Sequence, residues 1–341
     1  MTDAPITVAI PTMNGSRHLD ETLRGVFRQQ GASFDLLLVD DRSDDDTRDL
    51  ARALAGDRAR VVENAERLGL AGNWNQCVAL SQTPLVAIIH QDDVIRPGHL
   101  SAHVEAFAAD PSIGLVASGS TVIDDRGAEV PASVVGRGGL GAVDRTFAPG
   151  AVLPLLAEGN PLRCSAVSLR VAAHAEVGGF DPSLHYVVDW DFWARVALHW
   201  SLAWRAVESV AVRWHPASET HRFKTGTADL DETERVLNGL LGGLGEQARP
   251  IARVARARLA RAFLNRAHQV LKTGDGRLAR DCLRRGLRLS PRLVLSIAAD
   301  PRLAVQMAAA WTAPVSAARW FGATESAIRS GIVGDERDPH R

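Results

Sequence analysis

The chain has 341 residues, 46% of them hydrophobic, and a formal net charge of −1. That length suits two domains or one large domain with an appendage, that apolar content excludes disorder over most of the chain, and the near-neutral charge argues against nucleic acid as a partner. The average hides an asymmetry: residues 249–292 carry thirteen Lys and Arg against Asp275 and Asp281, a local +11 that leaves −12 for the rest.

The first 120 residues alternate strand and helix signals. Ile6–Ile10 predicts a strand stopped by Pro11, and Leu19, Leu23, Val26 and Phe27 follow at helical spacing. Phe34–Val39 predicts a second strand closed by Asp40-Asp41, Leu50 and Leu54 a short helix, and Arg60–Val62 a third strand. Trp74 and Val78 mark another helix, Leu85–Ile89 a fourth strand bounded by Pro84 and Pro97-Gly98, and Ile113–Ala117 a fifth. This alternation predicts an α/β domain with a mainly parallel sheet. Residues 130–160 are rich in Gly and Pro and read as an irregular connection. Strand signals return at Ser165–Leu169 and Leu202–Trp214, with a helix starting near Val188-Asp189 between them. Beyond about Ala228 only helical patterns remain, and Arg256–Pro291 resembles one tetratricopeptide-like hairpin around Gly274-Asp275-Gly276. The expected organisation is a catalytic domain over 1–225, a helical extension over 226–330 and a disordered tail over 331–341.

Met1–Pro5 has no basic, apolar leader, and Leu303–Ala318 is too short and polar to predict a membrane span. Cys77, Cys164 and Cys282 form neither a disulfide framework nor a zinc pattern, so a reducing cytoplasm is expected.

Three carboxylate groups fall at strand ends or helix starts: Asp40-Asp41, Asp92-Asp93, and Asp189 with Asp191. Parallel strands one, two and four would end on one edge, where Thr12, Asn14, Asp40, Asp41, Asp92 and Asp93 converge. Adjacent carboxylates repel unless a cation sits beside them, and hard oxygen donors suit Mn2+ or Mg2+. A dinucleotide fold is excluded, because Pro11–Ser16 contains no G-x-G-x-x-G and the glycines of 136–141 follow no strand. No P-loop is present either.

The motifs in order resemble a family 2 glycosyltransferase of the GT-A fold. Ile10–Asn14 resembles the opening strand-to-loop motif, Val39–Thr47 the second-strand motif, and Leu68-Gly69 with Asn75 the third-helix motif. His90-Gln91-Asp92-Asp93 stands where the family has its DxD-type motif, with His90 replacing an acid found in many relatives. Gly178–Asp181 with Asp189–Trp193 matches the acceptor-side motif, and Arg213–Pro216 the closing motif. The resemblance spans about residues 5–222.

It implies an inverting, metal-dependent, non-processive transfer from a UDP-, GDP- or dTDP-linked sugar to a lipid-linked or other acceptor glycan, in surface polysaccharide or glycoconjugate assembly. The nucleotide-sugar would meet Pro11, Thr12, Asn14, Asp40, Asp41, Gly69, Asn75, Gln91 and Asp92. Asp93 and His215 would hold the cation, with Asp92 on the ribose and Asp40 or Asp41 on the base. Asp189 matches the base position. Asp191, its alternative, has Arg195 four residues on as an ion-pair partner. Trp190, Trp193 and Trp74 read as core. His221 and Arg222 fit a phosphate contact or a plain surface equally well. The basic helices read either as a solvated face or as a peripheral contact with an anionic membrane. Two other readings are a sugar-nucleotide nucleotidyltransferase, which needs a basic Gly-rich loop after the first strand, and a non-catalytic nucleotide-sugar-binding scaffold.

Overall fold

The computed structural model describes residues 4–131, 139–215 and 226–321. Pro216, His221, Arg222 and the tail 331–341 lie outside the described residues. The chain divides into two compact units, Met1–Ser218 with Gly242–Gly245, and Glu219–Leu241 with Glu246–Arg341.

In the first unit, β1 (Ile6–Thr12), α1 (Leu19–Phe27), β2 (Phe34–Asp40), α2 (Thr47–Ala55), β3 (Arg60–Glu63), α3 (Gly69–Leu80) and β4 (Leu85–Ile88) follow one another. Next come β5 (Val94–Ile95), α4 (His99–Ala109), β6 (Ile113–Ile123), β7 (Glu129–Val130), β8 (Arg145–Phe147) and α5 (Leu153–Ala157). The unit then adds β9 (Val167–Arg170), α6 (Val171–Val177), α7 (Val188–His199) and β10 (Ser201–Arg213). The sheet order is β3-β2-β1-β4-β9-β6-β10-β5, with β7 beside β6 and β8 beside β10. The strands β1, β2, β3 and β4 are parallel, in the register Thr12↔Asp40 and Ala9↔Ile88, so their carboxyl ends share one edge. The strand β9 inserts antiparallel between β4 and β6, and β10 runs parallel to β6.

Burial on both faces explains the apolar runs. Ile6, Val8 and Ile10 join Leu36, Leu38, Leu85 and Ala87 in one core, closed by Leu19, Leu23 and Val26 of α1. The strand predicted at Ile113–Ala117 runs on to Ile123, through the small polar residues Ser118–Thr121. Those residues are buried and bonded: Ser118 Oγ lies 2.6 Å from Ser209 Oγ, and Arg96 donates to Thr121 Oγ1 at 2.8 Å. Part of the connection predicted as irregular is ordered into β8 and α5.

The second unit contains α8 (Ala228–Gly243) as far as Leu241, α9 (Ala248–Lys272), α10 (Gly276–Leu289), α11 (Leu293–Ala298) and α12 (Pro301–Thr312). The helices α9 and α10 make the predicted hairpin. Gly274 takes φ +98°, and Asp275 caps α10 by accepting from Leu278 N at 2.9 Å. Phe263, Leu264 and Ala267 pack inward with Ala279, Cys282 and Leu283. Part of the local positive charge is neutralised within the unit: Arg266 pairs with Asp229, and Arg285 with Asp231 and Glu234.

Candidate active site

The shared strand edge gathers the predicted cluster, and most of its polar atoms are already engaged. Asp40, at the end of β2, accepts from Thr12 Oγ1 at 2.9 Å, Ser43 N at 2.8 Å and Ser43 Oγ at 2.6 Å. Asp41 accepts from Asn64 Nδ2 at 2.9 Å and from the amides of Leu68 and Gly69 at 2.7 and 2.9 Å, so it sits on the N-terminus of α3. Gly69 takes φ +73° there. After Pro11 and Thr12 the chain turns through Asn14, whose φ is +50°, whose amide donates to Ser43 Oγ and whose Oδ1 accepts from Asp44 N. Gln91 ties this turn to β4, exchanging two hydrogen bonds of 2.9 and 3.0 Å with the backbone of Met13. Asn75 is also engaged within the protein. Its amide grips the backbone of Phe180 twice, at 2.8 Å each, and bonds His174.

Asp92 and Asp93 have different surroundings. Asp93 is 2% exposed and accepts from Ser165 Oγ at 2.6 Å and from Arg213 N at 2.9 Å. Burial and the charge of Asp92 push its carboxyl pKa up. Asp92 Oδ2 lies 3.0 Å from His215 Nε2. Burial pushes Asp92 up, but the His215 hydrogen bond and the nearby imidazoles outweigh it and leave the carboxyl below its ordinary value. The buried Arg213 side chain donates to the carbonyls of Asp92 and Asp124, both at 3.0 Å, and pairs with Glu21. His90 donates its backbone N–H to Ser165 Oγ at 3.0 Å, and its ring stacks on Trp74 with centroids 5.2 Å apart.

At the start of α7, Asp189 accepts from Asn160 Nδ2 at 3.0 Å and from Trp190 N at 2.7 Å. Burial raises its pKa, against the pull of those bonds and of His90. The charge of Asp189 in turn acts on His90, against the larger effect of burial, so the two side chains lie within electrostatic reach of each other. Asp191 instead pairs with Arg195, whose guanidinium also holds the carbonyls of Val177 and Gly179. Trp74, Trp190 and Trp193 are buried.

Ser165, Asn160 and the reach of Arg213 escaped the sequence reading. Ser165 and Asn160 belong to no motif, whereas Arg213 stands in the closing motif and could have been suspected there.

A divalent cation fits this corner. Ligand atoms of His90, Asp92 and Asp93 lie within 4.8 Å of one another, and His90 Nε2 is shielded from solvent with no hydrogen-bond partner among the described residues. Two carboxylates and an imidazole are donors that Mn2+ accepts and Mg2+ accepts in part.

Residues 7–157 match the model of glycosyl transferase family 2. The chain carries a family 2 glycosyltransferase domain. This glycosyltransferase is 29% identical over 248 residues to the uncharacterized protein MT1568 of Mycobacterium tuberculosis (strain CDC 1551 / Oshkosh), covering 69% of its own chain and 75% of that protein. A shorter stretch of 94 residues, 28% of the chain and 37% of the relative, is 26% identical to WfgD of Escherichia coli, a UDP-Glc:alpha-D-GlcNAc-diphosphoundecaprenol beta-1,3-glucosyltransferase. Among solved structures, S. aureus TarS 1-349 in complex with UDP-GlcNAc superposes with a TM-score of 0.61 at 14% identity, over 96% of this chain and 92% of that one. The fold of the glycosyltransferase is GT-A, with a helical C-terminal region.

Proposed function

We propose that the enzyme transfers one sugar per encounter from a nucleotide-diphosphate sugar to an acceptor hydroxyl, with inversion and with help from Mn2+ or Mg2+. The observation that carries this reading is the cluster of ligand atoms of His90, Asp92 and Asp93, within 4.8 Å of one another, with the buried Asp189 in electrostatic reach of His90. Asp189 takes the proton of the acceptor hydroxyl as its oxygen bonds to the anomeric carbon and the bond to the nucleotide diphosphate breaks. A pKa raised toward neutrality suits a general base. Asp93 and His215 would hold the cation, which offsets the charge of the leaving diphosphate, with Asp92 on the ribose. Pro11, Thr12, Asn14, Asp40, Asp41, Gly69 and Gln91 form the nucleotide wall. Since the carboxylates of Asp40 and Asp41 already have internal donors, they act in this reading as much by fixing the wall as by touching the base.

The UDP-GlcNAc held by TarS supports a UDP-linked donor. The lipid-linked acceptor in the name of WfgD supports a role in polysaccharide assembly. None of the described helices is long and apolar enough to cross a membrane. The exposed Val294, Leu295, Val305 and Trp311 beside Arg292 and Arg302 support a peripheral contact with an anionic membrane. Three buried free cysteines agree with a cytoplasmic setting.

Calorimetry with UDP and GDP, with and without Mn2+, tests the donor side. Metal-enhanced binding of one nucleotide is expected, and absence of binding to either would favour a scaffold. Co-sedimentation with anionic vesicles at low salt tests the membrane contact, which a wholly soluble protein would refute.

A further inference from the structure

His90 stands where many family members carry an acid, and its ring is held in a defined place. The backbone N–H is anchored on Ser165, Trp74 stacks on one face, and Nδ1 lies 3.8 Å from Asp93 Oδ2. Nε2 is shielded and has no partner among the described residues. Among the described residues the buried histidines of α4 also leave Nε2 without a bond, but each is fixed through Nδ1 to a serine hydroxyl, Ser209 for His99 and Ser168 for His103. His90 instead faces Asp92 and Asp93 with its ligand atom inside a 4.8 Å cluster. Each oxygen of Asp93 already accepts one protein hydrogen bond, which leaves one lone-pair direction per oxygen for a cation.

We propose that His90 is a nitrogen ligand of the active-site cation and biases this site toward Mn2+ over Mg2+. This role rests on the metal-dependent reading above. Mg2+ keeps oxygen ligands and its own waters, so replacing a carboxylate by an imidazole costs it both charge and a preferred donor. Mn2+ accepts imidazole more readily, as first-row ions do.

The test uses Mn2+ alone with the full chain. Loss of the free-ion EPR signal counts bound Mn2+, and pulsed EPR reads nitrogen coupling to it. Because His215 is a second nitrogen candidate, the coupling is read in His215→Asn. It should persist there and vanish in His215→Asn/His90→Asp. In the single variant His90→Asp, competition with Mg2+ should show the Mn2+ preference falling by roughly tenfold or more, in the range lost when metal sites lose supporting groups. Bound Mn2+ without nitrogen coupling in His215→Asn overturns the role of His90 and leaves the metal reading intact. Should His215→Asn not fold, unchanged coupling and preference in His90→Asp overturn it equally. No Mn2+ bound by the parent protein overturns both readings.

Discussion

Asp189 and Asp191 lie two residues apart and are committed to different partners. Asp191 is spent on Arg195, which in turn braces the carbonyls of Val177 and Gly179. Asp189 accepts hydrogen bonds from Asn160 and from its own helix start, and burial makes it a stronger base. Asp189→Asn is expected to lower transfer by about 100- to 10,000-fold with nucleotide affinity unchanged. Asp191→Asn should instead lower stability and leave residual turnover, so an inactive but stable Asp191→Asn beside an active Asp189→Asn would reverse the roles. Ser165 carries a second expectation. Its hydroxyl supports Asp93 and receives the His90 amide. Ser165→Ala leaves buried polar groups without partners and should cost about 1–3 kcal/mol, read by urea denaturation. These roles were unequally legible. Aspartates just past apolar runs stand out in any sequence, whereas Ser165 acts across 72 residues and leaves no local mark.

At the scale of elements, the strands that build the edge were readable because Pro11, Asp40-Asp41 and Pro97-Gly98 punctuate short apolar runs. Direction was not readable. Ser165–Leu169 signals extended chain, but only pairing with β4 and β6 makes β9 antiparallel. The length of β6 was missed because Ser118–Thr121 looks like a loop until Ser209 and Arg96 satisfy it. Asn75 has a structural task beside the nucleotide contact that the resemblance implies. From α3 it clamps Phe180, while Gly179 lies so close that a Cβ there would come 2.7 Å from Asn75 Oδ1. Asn75→Ala should therefore cost about 1–3 kcal/mol of stability. UDP affinity should hold when measured well below the unfolding midpoint, and a loss of affinity at full stability would return Asn75 to the nucleotide. Gly15 is a similar hinge for Gln91, since a Cβ there would lie 1.9 Å from Gln91 Oε1. Gly15→Ala should break the Met13–Gln91 pair and reduce activity without removing any charged group.

At the scale of the whole molecule, burial of the α4 histidines sets an acid limit. His99 and His103 are wholly buried and bonded through Nδ1 to Ser209 and Ser168. Desolvation pushes His99 down to about 3 and His103 well down, the latter helped by His99 and Arg205. Their unfolded forms protonate near pH 6.5, so below that value the unfolded state binds more protons and stability falls as pH falls. Each contributes up to about 1.4 kcal/mol per pH unit. Asp93 and Asp189 have raised values and act in the opposite direction as the pH falls. The comparison is therefore of the change in stability from pH 7.5 to 5.5, where His103→Asn should lose less stability on acidification, or gain more, than the parent. Equal changes would refute the role of the pair. The helical C-terminal region was legible from its periodicity and from the end of strand signals, but the neutralisation of Arg266 and Arg285 by Asp229, Asp231 and Glu234 depends on a fold no local pattern shows.

Arg213 adds a consequence in time. The Arg213 amide donates to the Asp93 carboxylate, and its guanidinium to the Asp92 backbone carbonyl, across 120 and 121 positions of chain. During synthesis this acidic pair leaves the ribosome long before the residue that binds both of its members. Contacts of such sequence separation form late and slow folding. The nascent chain must therefore carry a like-charged, half-assembled edge until β10 arrives, and a stall before residue 213 would release an α/β sheet with its most charged corner still open to solvent.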